Sequence, residues 1–203
     1  MPVNYHVQAD VIDIQSDTPK SSDAILVDSN VWFWMTYAAA SLASTYRERK
    51  YSLYVKHARK EKAKLFRCGL SMAELTHIIE HTEYKIFEQT HTGEKSKEFR
   101  HNYTVERSNV VTDVQNAWQI VKSMTSPLDI AIDDPTTDVA LARVQTQLLD
   151  GYDLFMVEAM AKNGITQILT DDGDYCTVPG IQVFTANRNV IDAATNQGKL
   201  VTR

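Results

Sequence analysis

The chain has 203 residues, 43% hydrophobic and 23% charged, and its 26 acidic side chains outnumber 21 Lys and Arg for a formal charge of −5. These proportions exclude a disordered, fibrous or collagen-like chain and fit a single domain large enough to bury a core without disulfide staples. The net acidity weighs at first sight against a phosphate-binding protein, whose affinity comes from Lys and Arg. Cys68 and Cys176 form no C-x-x-C pair and read as small buried hydrophobes. No basic segment followed by an apolar run opens the chain, and the stretch Val31 to Ala40 is too short to cross a bilayer. A reducing, cytoplasmic location without a membrane contact is expected.

Residues 1–22 are polar and read as an N-terminal extension, with one strand near Val7–Ile14. Ala24-Ile25-Leu26-Val27 is a short apolar run ending at Asp28, the pattern of a strand buried on both faces. A helix follows from Val31 to about Ser44. Residues 46–64 form a second, with Tyr51, Tyr54, Val55 and Ala58 on its apolar face. Leu65–Leu70 is a strand and Ser71–Gln89 a helix. Gly93 interrupts, and a helix near Val105–Met124 ends at Pro127, so residues 90–125 read as a helical insertion. Leu128–Ile132 is a strand candidate, and Pro135 marks the next turn. Val139–Leu149 and Tyr152–Lys162 are helical, with Asn163-Gly164 as a stop. Ile165–Leu169 and Ile181–Thr185 are strands. Alternating strands and helices predict an α/β fold with a mostly parallel central sheet, built by residues 23–203 as one domain.

Functional groups in parallel α/β sheets gather where strands end and helices begin. Asp28, Glu74, Asp153 and the group Asp171, Asp172 and Asp174 all fall at such junctions. Gathered acids repel one another unless a cation neutralises them, and an all-oxygen ligand set selects a hard ion such as Mg²⁺ or Mn²⁺. Each acid also has a structural reading. Ser71-Met72-Ala73-Glu74 matches a capping box, Asp150 and Asp28 suit N-caps, Asp153 suits a helix first turn, and Asp171-Asp172-Gly173-Asp174 suits a polar turn.

These segments resemble the PIN-domain nucleases, VapC-like ribonucleases among them. Ile25-Leu26-Val27-Asp28-Ser29-Asn30-Val31 is similar to that family's opening strand and Asp-Thr/Ser-Asn. Ser71-Met72-Ala73-Glu74-Leu75 is similar to its acid-bearing helix start. Residues Asp153 to Ala161 resemble its Asp opening an Ala-rich helix. Ile168-Leu169-Thr170-Asp171-Asp172-Gly173-Asp174-Tyr175 resembles its strand followed by Thr-x-Asp-x-Asp and an aromatic. The motifs run in family order across residues 24–185. The resemblance implies a three-layer α/β/α fold and a metal-dependent endoribonuclease. Asp28, Glu74, Asp153 and Asp172 would be catalytic metal ligands, Asp174 would assist, and Asn30 and Thr170 would support them. Asp171 falls on a variable position, and Tyr175 stands where Phe is commoner. The resemblance also makes a toxin of a toxin–antitoxin pair, an antitoxin partner and a homodimer expectations. A catalytically weak RNA-binding or scaffolding module is the alternative.

The whole-chain charge hides a basic segment. Residues 47–67 hold nine Lys and Arg, among them Arg47, Arg49, Lys50, Lys56, Arg59 and Lys60, against only Glu48 and Glu61. With Tyr46, Tyr51 and Tyr54 interleaved, it reads as an RNA groove of cations for phosphates and aromatics for bases. Its bland counterpart is a solvated helix face whose Lys stems cover apolar surface. Trp32, Phe33, Trp34 and Tyr37 read as core, with an interface as the alternative. His77 and His81 lack an H-E-x-x-H context for zinc. A dehalogenase-type phosphatase would need an Asp at position 30, which is Asn30.

Overall fold

The structure is a computed structural model that describes residues 3–40 and 45–203, and the side chains of all of these except 45–48. Six strands, β1 (Asp10–Asp13), β2 (Ala24–Val27), β3 (Lys64–Cys68), β4 (Ser126–Leu128), β5 (Gln167–Leu169) and β6 (Gln182–Thr185), form one sheet in the order β1-β6-β5-β2-β3-β4. Every pairing is parallel. Side chains of a strand alternate between faces, and β2 shows what that requires in a two-sided core. Ile25 and Val27 enter one apolar cluster and Leu26 the other. The first cluster joins α1 (Ser29–Thr36), α2 (Thr45–Lys60), α3 (Gly69–Glu88) and α5 (Thr104–Met124) through Trp32, Tyr51, Leu75, Ile79, Ala117 and Val121. The second holds α7 (Gly151–Lys162) through Met156, Val157 and Met160, and α8 (Arg188–Asn196) packs a third with Val190, Ile191 and Ala194. The fold is thus α/β with helices on both faces of a parallel sheet.

Several elements depart from their expected bounds for identifiable reasons. Helix α1 ends at Thr36, whose hydroxyl bonds back to Trp32 O at 2.7 Å, and Tyr37 is extended. The expected helix residues 41–44 lie outside the described residues. Strand β4 begins two residues earlier than expected and contains Pro127, which has no N–H to give a ladder. It is tolerated because β4 is an edge strand. Pro135 lies in the first turn of α6 (Asp134–Val144), where a missing N–H costs nothing, and Asp133 caps that helix by accepting from Thr136 N at 3.0 Å. Helix α4 (Ser96–Asn102) and helix α8 were not anticipated.

The N-terminal residues supply edge strand β1, paired with β6. The stretch read as an insertion contributes α5, whose Ala117 and Val121 are fully buried in the main core. Near the C-terminus Leu200 bridges to Val11 beside β1, and the Arg203 guanidinium bonds both Asp17 and Asp23 while lying 4.5 Å from the Phe184 ring centre. Among the described residues no helix is long and apolar enough to cross a membrane.

Candidate metal centre

The chain proceeds from β2 outward to β3 and β4, then returns to place β5 on the other side of β2. That reversal is a topological switch point, where the carboxyl ends of two adjacent strands leave a crevice. Val27 pairs with Leu169, so the next residues, Asp28 and Thr170, emerge side by side.

Asp28 is 2% exposed and also caps α1. Its Oδ1 accepts from Ser29 N (2.6 Å) and Ser29 Oγ (3.1 Å), and its Oδ2 from Asn30 Nδ2 (2.7 Å) and Thr170 Oγ1 (2.6 Å). Asn30 and Thr170 therefore hold Asp28 in one orientation. Asp153 sits in the first turn of α7, capped by Asp150, whose Oδ1 accepts from Tyr152 N and Asp153 N. Asp153 is 4% exposed, and its Oδ1 accepts from the Tyr175 hydroxyl at 2.6 Å.

Glu74 overturns its local reading. Helix α3 opens at Gly69 with Cys68 as N-cap, and Ser71 Oγ accepts from Cys68 N at 3.3 Å. Glu74 is therefore in the second turn, beyond the reach of a capping box. Its Oε2 is buried with no hydrogen-bond partner. One carboxylate oxygen each of Asp28, Glu74 and Asp153 lies within 4.8 Å of the others.

Asp172 and Asp174 stand outside this triad. Asp172 N donates to Thr170 Oγ1 at 2.8 Å, and its Oδ1 accepts from Asp174 N at 2.8 Å. Asp172 still acts at a distance. Burial raises the carboxyl groups of Asp28, Glu74, Asp153 and Asp174 above the usual range, and the Asp172 charge adds to the rise at each. For Asp28 the Glu74 charge adds more than Asp172, and for Asp153 the Asp28 charge does. The exposed Asp150 also raises Glu74, Asp153 and Asp174, a contribution its cap role alone did not suggest. Buried like charges with an unpartnered oxygen are costly by themselves. An oxygen-only donor set fits a hard divalent ion, with Asp28, Glu74 and Asp153 as its holders.

The basic helix divides in two. Helix α2 runs antiparallel to the sheet: Tyr51 in its first half reaches the loop after β5, whereas its end turns into β3, and Lys64 N bonds Asp23 O just before β2. Arg49 and Lys50 thus lie toward the acids' edge, and the exposed Lys56, Arg59 and Lys60 lie progressively nearer the opposite edge. Lys50 bonds Gln15. The side chains of Tyr46 and Arg47 lie outside those described. Tyr51 and Tyr54 are not stacking platforms, being 0% and 3% exposed. The Tyr51 hydroxyl instead donates to Asp171 Oδ1 (2.8 Å) and accepts from Ala186 N (2.9 Å), pinning the loop that carries Asp172.

Tyr175 is fully buried, and sequence reasoning gave it no role. Partners that orient a ligand without touching the ion are worth roughly 10–100-fold in metal affinity. Tyr175→Phe keeps the ring and removes the bond to Asp153. Expected are a Mn²⁺ affinity lower by about tenfold or more and a stability loss of about 1 kcal/mol, read by calorimetric titration and denaturation. Unchanged affinity would remove the orienting role.

No known protein family matches the chain, and no curated protein matches it.

Proposed function

We propose that the protein is a metal-dependent ribonuclease, an endonuclease that hydrolyses RNA phosphodiester bonds with Mg²⁺ or Mn²⁺. The observation that carries this reading is the triad of Asp28, Glu74 and Asp153, drawn from three separate elements to within 4.8 Å at the switch point, with one buried carboxylate oxygen unpartnered. The PIN-type resemblance of the surrounding motifs points the same way. A bound divalent ion would supply an acidified water and charge neutralisation at the phosphate. The chain's own part is to hold that ion and position the strand. Ser29, Asn30 and Thr170 orient Asp28, Tyr175 orients Asp153, and Asp172, held by Asp174 N, adds its negative charge beside them. Among the described side chains of α2, Arg49 and Lys50 are the cations on the acids' edge, placed to meet flanking phosphates. A cytoplasmic setting belongs to the same reading and suits two free buried thiols.

The test is cleavage of a single-stranded RNA with Mg²⁺ or Mn²⁺, against chelator and Asp153→Asn. Expected is metal-dependent cleavage that falls on the order of a hundredfold or more in the variant. Joint charge reversal at Arg49 and Lys50 should weaken RNA binding and flatten its salt dependence, and reversal at Arg59 and Lys60 should do so far less. RNA binding without cleavage at any metal concentration would leave a binding module in place of the enzyme.

A further inference from the structure

The loop between β5 and β6 borders an open cleft of about 320 Å³, which shares Asp172 with the acidic site. Its walls include two aromatic side chains, Tyr5 and Trp34, and the amides of Asn30 and Asn187. The amides are fixed. Asn187 Nδ2 donates to Asp171 O at 2.7 Å and its Oδ1 accepts from Asn189 N at 3.1 Å, while Asn30 is tied to Asp28 and Thr170. Trp34 is half-buried, leaning on Tyr51 with ring centres 5.4 Å apart. The far end of the Tyr5 ring closes against the loop at Gly173, where a Cβ would collide with Cε1, Cζ and the hydroxyl. Glycine at that position lets an N-terminal aromatic seat itself beside Asp172.

Two acids, Asp171 and Asp172, line the same cleft. A phosphate is repelled there, whereas a flat, uncharged ring is not. Aromatic walls with polar but neutral amides suit a nucleobase, since every base offers a π face for stacking. We infer that this cleft holds an unpaired nucleobase of the RNA strand, stacked against Tyr5 with Trp34 as the second wall, next to the phosphodiester presented to the triad. The identity of the ligand rests on the ribonuclease reading. The class of substrate follows: a base must be free of its duplex partner to enter, so the strand is single at the site.

The experiment measures binding in the Asp153→Asn protein, with a short single-stranded oligoribonucleotide and an abasic sugar–phosphate strand of equal length as probes. Stacking of one base is worth enough that Tyr5→Ala should weaken the oligoribonucleotide about tenfold, leave the abasic strand unchanged, and be rescued by Tyr5→Phe. A second measurement needs no change at Tyr5: the oligoribonucleotide should quench tryptophan fluorescence, and Trp34→Phe should remove that quenching. Equal binding by Tyr5→Ala and its parent, or quenching that survives Trp34→Phe, would overturn the assignment. The two readings fail separately. Tyr5-sensitive binding without metal-dependent cleavage by the unmodified chain keeps the cleft and removes the enzyme. Cleavage with a KM indifferent to Tyr5→Ala keeps the enzyme and removes the cleft.

Discussion

Asp153→Asn is expected to stabilise the metal-free protein and to abolish its response to divalent cations. Asparagine is nearly the same shape, and its carbonyl oxygen can keep the bond from the Tyr175 hydroxyl that Asp153 Oδ1 now accepts. Its amide then replaces a carboxylate oxygen in the triad and donates toward the two remaining acids, where the native group repels them. Burial, the Asp28 charge and the more distant Asp150 and Asp172 all disfavour ionised Asp153, so neutralising it relieves each at once. At about pH 8 the gain should be about 1 kcal/mol or more, since one unit of pKa shift corresponds to about 1.4 kcal/mol. With Mn²⁺ at about a hundred times its Kd, the native protein should gain about 2.7 kcal/mol and the variant almost nothing. Denaturant titrations of both proteins, with and without Mn²⁺, give all four numbers. Asp28→Asn is a poorer instrument for stability, because Asp28 accepts four hydrogen bonds and an amide would turn its N–H groups toward donors. Destabilisation by Asp153→Asn in both conditions would make Asp153 a structural acceptor for Tyr175 and nothing more.

The metal-free protein should lose stability as pH rises, the opposite of most proteins leaving acid conditions. An ordinary Asp titrates near about 4. Burial, joined by the Glu74 charge, raises Asp28 to about 7, and burial with the Asp28 charge raises Asp153 as well. Below about pH 4 these groups are protonated in folded and unfolded chains alike. Above it the unfolded chain releases protons that the folded chain retains, so the folded state loses ground until its own groups ionise. Asp23 and Glu80 carry the opposite sign. At each, burial is outweighed by arginine hydrogen bonds, from Arg203 to Asp23 and from Arg100 and Arg107 to Glu80, which lower their values. They therefore stabilise above the ordinary carboxylate range and are saturated well before neutrality. Comparison of about pH 5.5 with about pH 8 thus reads the acids whose values are raised, the triad together with Asp174 and Asp113. A divalent ion inverts the trend, because it binds the ionised form. Affinity should rise with pH, and binding should release protons, detected as a buffer-dependent calorimetric heat. Metal-free stability that is flat or rises over this interval would contradict the raised values.

The sheet's centre was legible at β2, because a parallel strand covered on both faces reads as a continuous apolar run, as Ala24–Val27 does. Its rim was less so. Strand β4 has three residues and a proline, and its identity comes from pairing with β3 rather than from composition. Asp28 and Asp153 were visible twice, as first-turn or cap residues and as acids, and they occupy both roles. Glu74 was misread locally because α3, with Cys68 as its N-cap, opens at Gly69, two residues before the expected start. The resemblance placed Thr170 beside the acids, where it bonds Asp28, but other long-range contacts stayed hidden: Tyr175 to Asp153, Tyr51 to the loop at Asp171, and the Tyr5 ring on Gly173. No local pattern announces such contacts, since each depends on which strands become neighbours. The same cause split the basic helix, whose charges are contiguous in sequence but spread along the length of α2.

The pairing of β5 with β2 brings together residues as far apart as Thr170 and Asp28, 142 positions along the chain. Closing so long a loop is slow and comes late in folding. Asp153 must likewise cross 125 positions of chain to reach Asp28, so until that long-range closure a cation finds no complete triad to bind. The ion therefore cannot guide the chain toward its native form. Its influence would fall on the way out: a bound cation would hold shut the crevice that assembles late, lengthening the lifetime of the folded molecule while leaving its rate of formation almost untouched.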